Sequence, residues 1–395
     1  MLNYNRICFS LVICFFLGIA AVSPAAGDDG ESEGTYREGK LVFIPSVEAS
    51  YQYDSNYYLD ETNEVSANTY VLKPGFEFGY TTPKSSVLVD YYLSFNEYTG
   101  DDLIKDDDYI GHNFSLDAQT QATDHFLLGI EEDYRKSRDR GSLDTLGNEA
   151  NREKYQTNDL SPWVFYSIND TWGMGAKYTY SILDYADNVN EDSMAHLGAF
   201  NMEYNLNRTS FLDLEYNIWV RDYDRDTSDY TSNQVILSYI KEFRLFSLSA
   251  GAGYHDRSFD DISANDFGTF VWEFILRGAY NKTNYLFTID HNANDIGESE
   301  QYYKGLNIYA EVGRLFYDKF EVELAVTFRN RDYETSDRDE DVWIFSGGAD
   351  YLFTDRFSLG VESGYETRDS NEAGRDYDNK YILVRAGLNF DVAPR

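Results

Sequence analysis

Cysteine is almost missing. The chain has two, Cys8 and Cys14, and both lie in an apolar N-terminal segment. Once that segment is removed, no disulfide, thiolate metal centre or cysteine nucleophile is left. Cations are also scarce: 33 Lys and Arg stand against 69 Asp and Glu, a net charge of −36. Nucleic acid is excluded as a partner, because phosphate contacts need a surplus of Lys and Arg. After residue 22 no apolar run reaches the ~18 residues that a membrane helix needs. Catalytic motifs are missing too. The five histidines are His112, His125, His196, His255 and His291, and none sits in a His-Glu-x-x-His pattern or near a Gly-x-Ser-x-Gly elbow. No cofactor and no enzymatic activity are expected.

The N-terminus reads as a secretory signal. Arg6 supplies the positive start, Ile7 to Val22 the apolar core, and Ser23-Pro24-Ala25 the small residues before a cleavage site. The expectation is a signal peptide over 1–25, with cleavage after Gly27 as the alternative, and a short acidic periplasmic leader over 26–39. Losing Arg6 makes the mature chain slightly more acidic. An exported chain without a membrane helix can span a membrane only as a β-barrel.

What is present is aromatic and periodic. Phe, Trp and Tyr make up 17% of the chain, with 35 Tyr, which argues against a disordered acidic tail. From Lys40 to Asp391, apolar and polar residues alternate in long stretches. In Lys319 to Arg331, Phe320, Val322, Leu324, Val326 and Phe328 fall on one side of an extended strand. Glu321, Glu323, Thr327 and Arg329 fall on the other. Strands of a soluble sandwich are usually ~5–6 residues long, whereas long two-faced strands suit a wall between lipid and water.

Short turn signals such as Thr81-Thr82-Pro83-Lys84, Asn169-Asp170, Asn281-Lys282-Thr283 and Tyr317-Asp318-Lys319 recur roughly every 40 residues, and longer acidic loops lie between them. A propeller has a similar period but needs four turns in each repeat, and this chain shows two. The expectation is an all-β transmembrane antiparallel up-and-down β-barrel over 40–395. It has about 18 strands, from 40–54 to 378–391, with 16 as the alternative. The pattern is least clear over 154–168, which contains Pro162.

Alternation also assigns faces. Val87, Val89, Tyr91, Leu93 and Phe95 fall on the lipid side, as do Leu214, Tyr216 and Ile218. The lumen-lining candidates are Lys73, Asp90, Lys177, Asp213, Glu215, Arg221, Arg257, Glu273, Arg277, Glu323, Arg329, Glu362 and Arg385. A cation on the lipid face would cost ~2–4 kcal/mol at mid-membrane, so the charged face must meet water. Arg and Asp mix where several strands end, at Arg221-Asp222, Arg329-Asn330-Arg331-Asp332 and Arg368-Asp369, which suggests ion pairs around a rim. Oxygen-rich loops such as Asp106-Asp107-Asp108 could attract divalent cations, but no segment has a full Ca²⁺ loop, and no metal site is expected.

Tyr53-Asp54-Ser55-Asn56-Tyr57 and the Pro-Gly step in Val71-Leu72-Lys73-Pro74-Gly75-Phe76 resemble an outer-membrane β-barrel porin family of the type associated with exopolysaccharide loci in Gram-negative bacteria. The resemblance implies an outer-membrane barrel that helps to pass or export a polysaccharide. The chain departs from the usual pattern at its end, where Phe390 is followed by Asp391-Val392-Ala393-Pro394-Arg395 rather than closing on an aromatic. The expected function is a porin-like aqueous channel in the Gram-negative outer membrane for passive passage of small solutes or sugars. Two alternatives are an export barrel working with periplasmic polysaccharide-export proteins and a closed structural or adhesive barrel. Outer-membrane lipids, lipopolysaccharide and the barrel-assembly machinery are the expected partners.

Overall fold

A strand with one apolar and one polar face leaves both edges unsatisfied, so each segment here takes a hydrogen-bonded neighbour on each side. The structure, a computed structural model, describes residues 40–100, 108–138, 141–142, 149–150, 153–186, 191–225, 227–261, 266–295, 302–334 and 336–390. Eighteen long strands run up and down in chain order: β1 (Lys40–Asp54), β2 (Ala67–Thr81), β3 (Ser85–Gly100), β4 (Tyr109–Thr123), β5 (Phe126–Ser137), β6 (Tyr155–Ser167), β7 (Trp172–Tyr185), β8 (Ser193–Asn207), β9 (Ser210–Tyr223), β10 (Tyr230–Glu242), β11 (Phe246–Phe259), β12 (Phe267–Tyr280), β13 (Thr283–Asp295), β14 (Tyr302–Phe316), β15 (Phe320–Tyr333), β16 (Asp339–Leu352), β17 (Phe357–Ser370) and β18 (Tyr377–Asn389). Every pairing is antiparallel, and β1 pairs with both β2 and β18, which closes the sheet into a barrel. A two-stranded ribbon, Gly141–Ser142 with Glu149–Ala150, sits in the loop between β5 and β6.

The expected strand 154–168 is present as β6. Pro162 has no N–H to give, and the β6–β7 ladder skips it, resuming at Trp163↔Lys177 in unchanged register. Pro74 interrupts the β2–β3 ladder in the same way. At one rim the turns are tight. Asn281 and Lys282 link β12 to β13 with φ of 47° and 61°, the left-handed pair that a two-residue hairpin requires. Elsewhere side chains cap the turn: Asn169 Oδ1 accepts from the backbone N–H of Thr171 and Trp172 at 2.8 and 3.0 Å, and Thr354 Oγ1 accepts from Phe357 N–H at 3.0 Å.

Large apolar side chains line the outer face of the wall, among them Leu72, Leu214, Leu237, Phe270, Leu324 and Phe345, all exposed. Aromatic pairs mark the tight-turn rim: Phe243–Phe246 at 4.3 Å, Phe316–Phe320 at 6.2 Å and Phe353–Phe357 at 5.4 Å between centroids. The buried apolar clusters lie at the opposite, long-loop end. One joins Tyr57 and Val65 of the first long loop to Ala67 and Tyr98, a second is Tyr155, Leu183 and Tyr185, and a third is Leu197, Trp219 and Tyr230.

The candidate lumen and its mouth

Cross-strand partners share a face, so register carries the strand parity round the wall. Every lumen candidate named from the sequence lies on the face opposite the exposed apolar row. Acidic side chains outnumber basic ones on that face. Inward pairs often reach across a strand whose inward residue is small. Arg385 on β18 donates to Asp350 on β16 at 2.7 and 3.1 Å. Between them on β17 lies Gly360, where an added Cβ would stand 2.2 Å from Asp350 Oδ1. Glu362 lies 3.7 Å from the same guanidinium. Lys177 on β7 reaches over β6 to Glu131 on β5 at 3.0 Å. Lys73 faces Glu48 at 3.8 Å, with Tyr92 under its ammonium. Asp90, Glu323, Arg277 and Arg329 occupy the same inward face.

A different arrangement runs across β8 to β13. One ladder row aligns Glu203, Asp213, Ser238, Gly251, Glu273 and Asp290, with Glu215 two residues further along β9. These carboxylates accept only neutral hydrogen bonds: Asp213 from Asn201 at 3.5 Å, Glu273 from Ser238 at 3.5 Å, Asp290 from Asn307 at 3.1 Å, and Glu215 from Asn217. No ion pair with another described residue reaches them.

At the long-loop end, arginines point inward but are covered. Arg257, 2% exposed, is held by Ser232 Oγ at 2.9 Å and lies 4.0 Å from the Tyr230 ring. Arg221 is equally buried, beside Ser193 and the Tyr223 ring. His255 packs between Trp219 and Phe267 rather than opening to the lumen. On β16, Glu340 is buried among three arginines: Arg338 at 2.5 Å, Arg368 at 3.8 Å and Arg331 at 3.9 Å, with the Tyr333 hydroxyl donating at 3.0 Å. Sequence reasoning missed Glu340, although it placed Arg331 and Arg368 at a rim. The first long loop folds on itself and onto the wall. Asn56 Nδ2 donates to Asp60 and Asp378 carbonyls, and Asn379 Oδ1 accepts from Asn56 N–H. In that loop the backbone N–H groups of Asn63 and Thr62 hold the Asp60 carboxyl below its ordinary pKa. Other acidic loop residues named from the sequence, such as Asp106 and Asp107, lie outside the described residues.

A closed wall with an apolar outside, a charged inside, tight turns at one rim and long loops at the other defines a porin-like outer-membrane β-barrel. Residues 244–390, spanning β11 to β18, match the family model described as "Putative beta-barrel porin 2". The match upholds the porin resemblance, although the motifs at Tyr53–Tyr57 and Val71–Phe76 lie outside it. The fold is similar to OccK2 (OpdF) of Pseudomonas aeruginosa, with a TM-score of 0.53 at 10% identity over 90% of this chain and 100% of that one. It is also similar to OccAB4 of Acinetobacter baumannii, with a TM-score of 0.52 at 11% identity over 90% and 99% of the two chains. A BenF-like porin from Pseudomonas fluorescens Pf-5 gives 0.52 at 10% identity over 89% and 100%. Among curated proteins none matches the sequence. None of these matches carries the polysaccharide-export alternative.

Proposed function

We propose that the barrel is a passive channel for small hydrophilic solutes and that it favours cations and neutral molecules over anions. The observation that carries this reading is that inward charges on the wall stay partly open to water. The side chains of Lys73, Glu48 and Arg385 are 34%, 25% and 24% accessible, which a dry, packed interior would not allow. The excess of inward carboxylates supplies the charge bias. A barrel of similar fold, OccK2, has been solved in complex with glucuronate, a small anionic sugar acid; its size supports small solutes as the cargo class, while the charge preference proposed here differs and rests on this chain's own inward carboxylates. The lumen candidates named above would set the field that a passing solute meets. In this reading the mature chain begins after Ala25 or Gly27, residues 26–39 form a periplasmic leader, and the barrel-assembly machinery inserts the barrel among lipids and lipopolysaccharide.

Planar bilayer recording of the purified protein tests the channel. Steady conductance in KCl is expected, with a reversal potential in a salt gradient on the cation-selective side. Absence of conductance would favour a closed barrel sealed by the aromatic clusters at its long-loop end.

A further inference from the structure

Inside the wall of β10, β12 and β13 lies a cavity of about 210 Å³. Its lining joins two carboxylates, Glu273 and Asp290, to apolar side chains of Ile236, Val271 and Ile275, with Asn292 at one end. Glu273 and Asp290 are direct register partners on adjacent strands, so their Cβ atoms are about 5 Å apart. Val271 and Ile275 face inward and are buried. The wall also lacks here what it has elsewhere. Glu131 has Lys177, Glu48 has Lys73, and Asp350 and Glu362 share Arg385. Glu273 and Asp290 make no direct ion pair with a described residue, although Arg329, two strands further along the same row, acts on Asp290 electrostatically. Among the described residues no three or more His, Cys, Asp or Glu side chains gather into a metal-binding group.

We propose that this cavity binds a small organic cation, an ammonium or guanidinium on a short alkyl stem. The positive group bridges Glu273 and Asp290 and completes a charge pairing that the wall supplies for itself elsewhere. The stem lies on Ile236, Val271 and Ile275, out of water. The apolar wall beside the two carboxylates favours an alkylammonium over potassium, which gains nothing from that wall, and the carboxylates repel anions of any shape. The site rests on the lumen reading above and gives the channel a solute class.

Recording in KCl with added n-butylammonium tests it. Block of the current is expected, with a half-block concentration at least tenfold higher in a Glu273→Gln/Asp290→Asn double variant. Butanesulfonate should give no block. Lengthening the probe from ethylammonium to butylammonium should tighten block about three- to fourfold per methylene, and Ile275→Thr should blunt that dependence while leaving both charges in place. Equal block of wild type and double variant, or none in either, overturns the site while the KCl conductance keeps the channel. If KCl conductance is absent, calorimetry of n-butylammonium with the detergent-solubilised full chain decides. Binding by wild type that is lost in the double variant keeps the site and sinks the channel, and no binding sinks both.

Discussion

Placing arginine at Leu324 and, separately, at its neighbour Ala325 tests the two-sided wall. Both sit on β15 at nearly the same depth. Leu324 is 58% exposed on the apolar face, whereas Ala325 faces inward between Glu311 and Ser346. A strand tilted ~40° climbs the barrel axis by ~2.6 Å per residue. With the membrane midplane taken at the middle of β15, Leu324, about two and a half residues away, sits ~6–7 Å from it, well inside an apolar band ~25 Å tall. Arginine costs ~2–4 kcal/mol at the midplane and less towards the interfaces, so Leu324→Arg should lose about 2–3 kcal/mol. That loss corresponds to about 30- to 150-fold in the folding equilibrium. Ala325→Arg sends the same cation into water beside Glu311 and should lose less than about 1 kcal/mol. Denaturant titration of the folded barrel in lipid vesicles, followed by tryptophan fluorescence, reads both values. Equal losses, or a larger loss at Ala325, would refute the assignment of faces on which every lumen statement rests.

Three further outcomes follow from the geometry. Glu340→Gln leaves Arg331, Arg338 and Arg368 crowded together without their shared buried anion, and should cost about 3–5 kcal/mol in the same titration; a loss below about 1 kcal/mol would mean that the arginines find solvent instead. Gly360→Val pushes a branched side chain into the Arg385–Asp350 contact, where an added Cβ would stand 2.2 Å from the carboxylate, and should destabilise by about 1–3 kcal/mol; an unchanged midpoint would show that the pair moves aside freely. Because Asp60 binds its proton more weakly folded than unfolded, its contribution is fully present above the ordinary carboxylate pKa and fades as pH falls through the lowered value. Asp60→Asn should therefore flatten the acid side of the stability profile, and an identical profile would show that the loop's hydrogen bonds do not depend on its charge.

Strand number and faces were legible because a two-residue period repeats over 12–16 residues in each strand, long enough to survive Pro74 and Pro162. Register was not legible, since every even shift along a strand preserves the same alternation. The row that aligns Glu203, Asp213, Glu273 and Asp290 exists only once the five ladders from β8 to β13 are fixed, and so the sequence showed Asp213 and Glu273 as separate inward charges. Glu340 was hidden for a related reason: it lies at the start of its strand within the run Asp337 to Asp341, and nothing local says that Arg331 and Arg368 converge on it beside its near neighbour Arg338. The first long loop is one of the acidic loops of the sequence, yet its Tyr57 and Val65 carry enough apolar area to fold it back onto Tyr98.

The first and last strands, β1 and β18, pair to close the seam, and at the tight-turn rim Phe390 N–H donates to Pro45 C=O at 2.8 Å. A ring of nearest-neighbour hairpins has no privileged starting point. The seam could be moved by cutting at Asn281–Lys282 and joining β18 to β1 with a short turn, and each ladder would still find its partner. Folding information in such a wall is carried hairpin by hairpin, which lets the barrel grow or shrink by whole pairs without rewriting the rest.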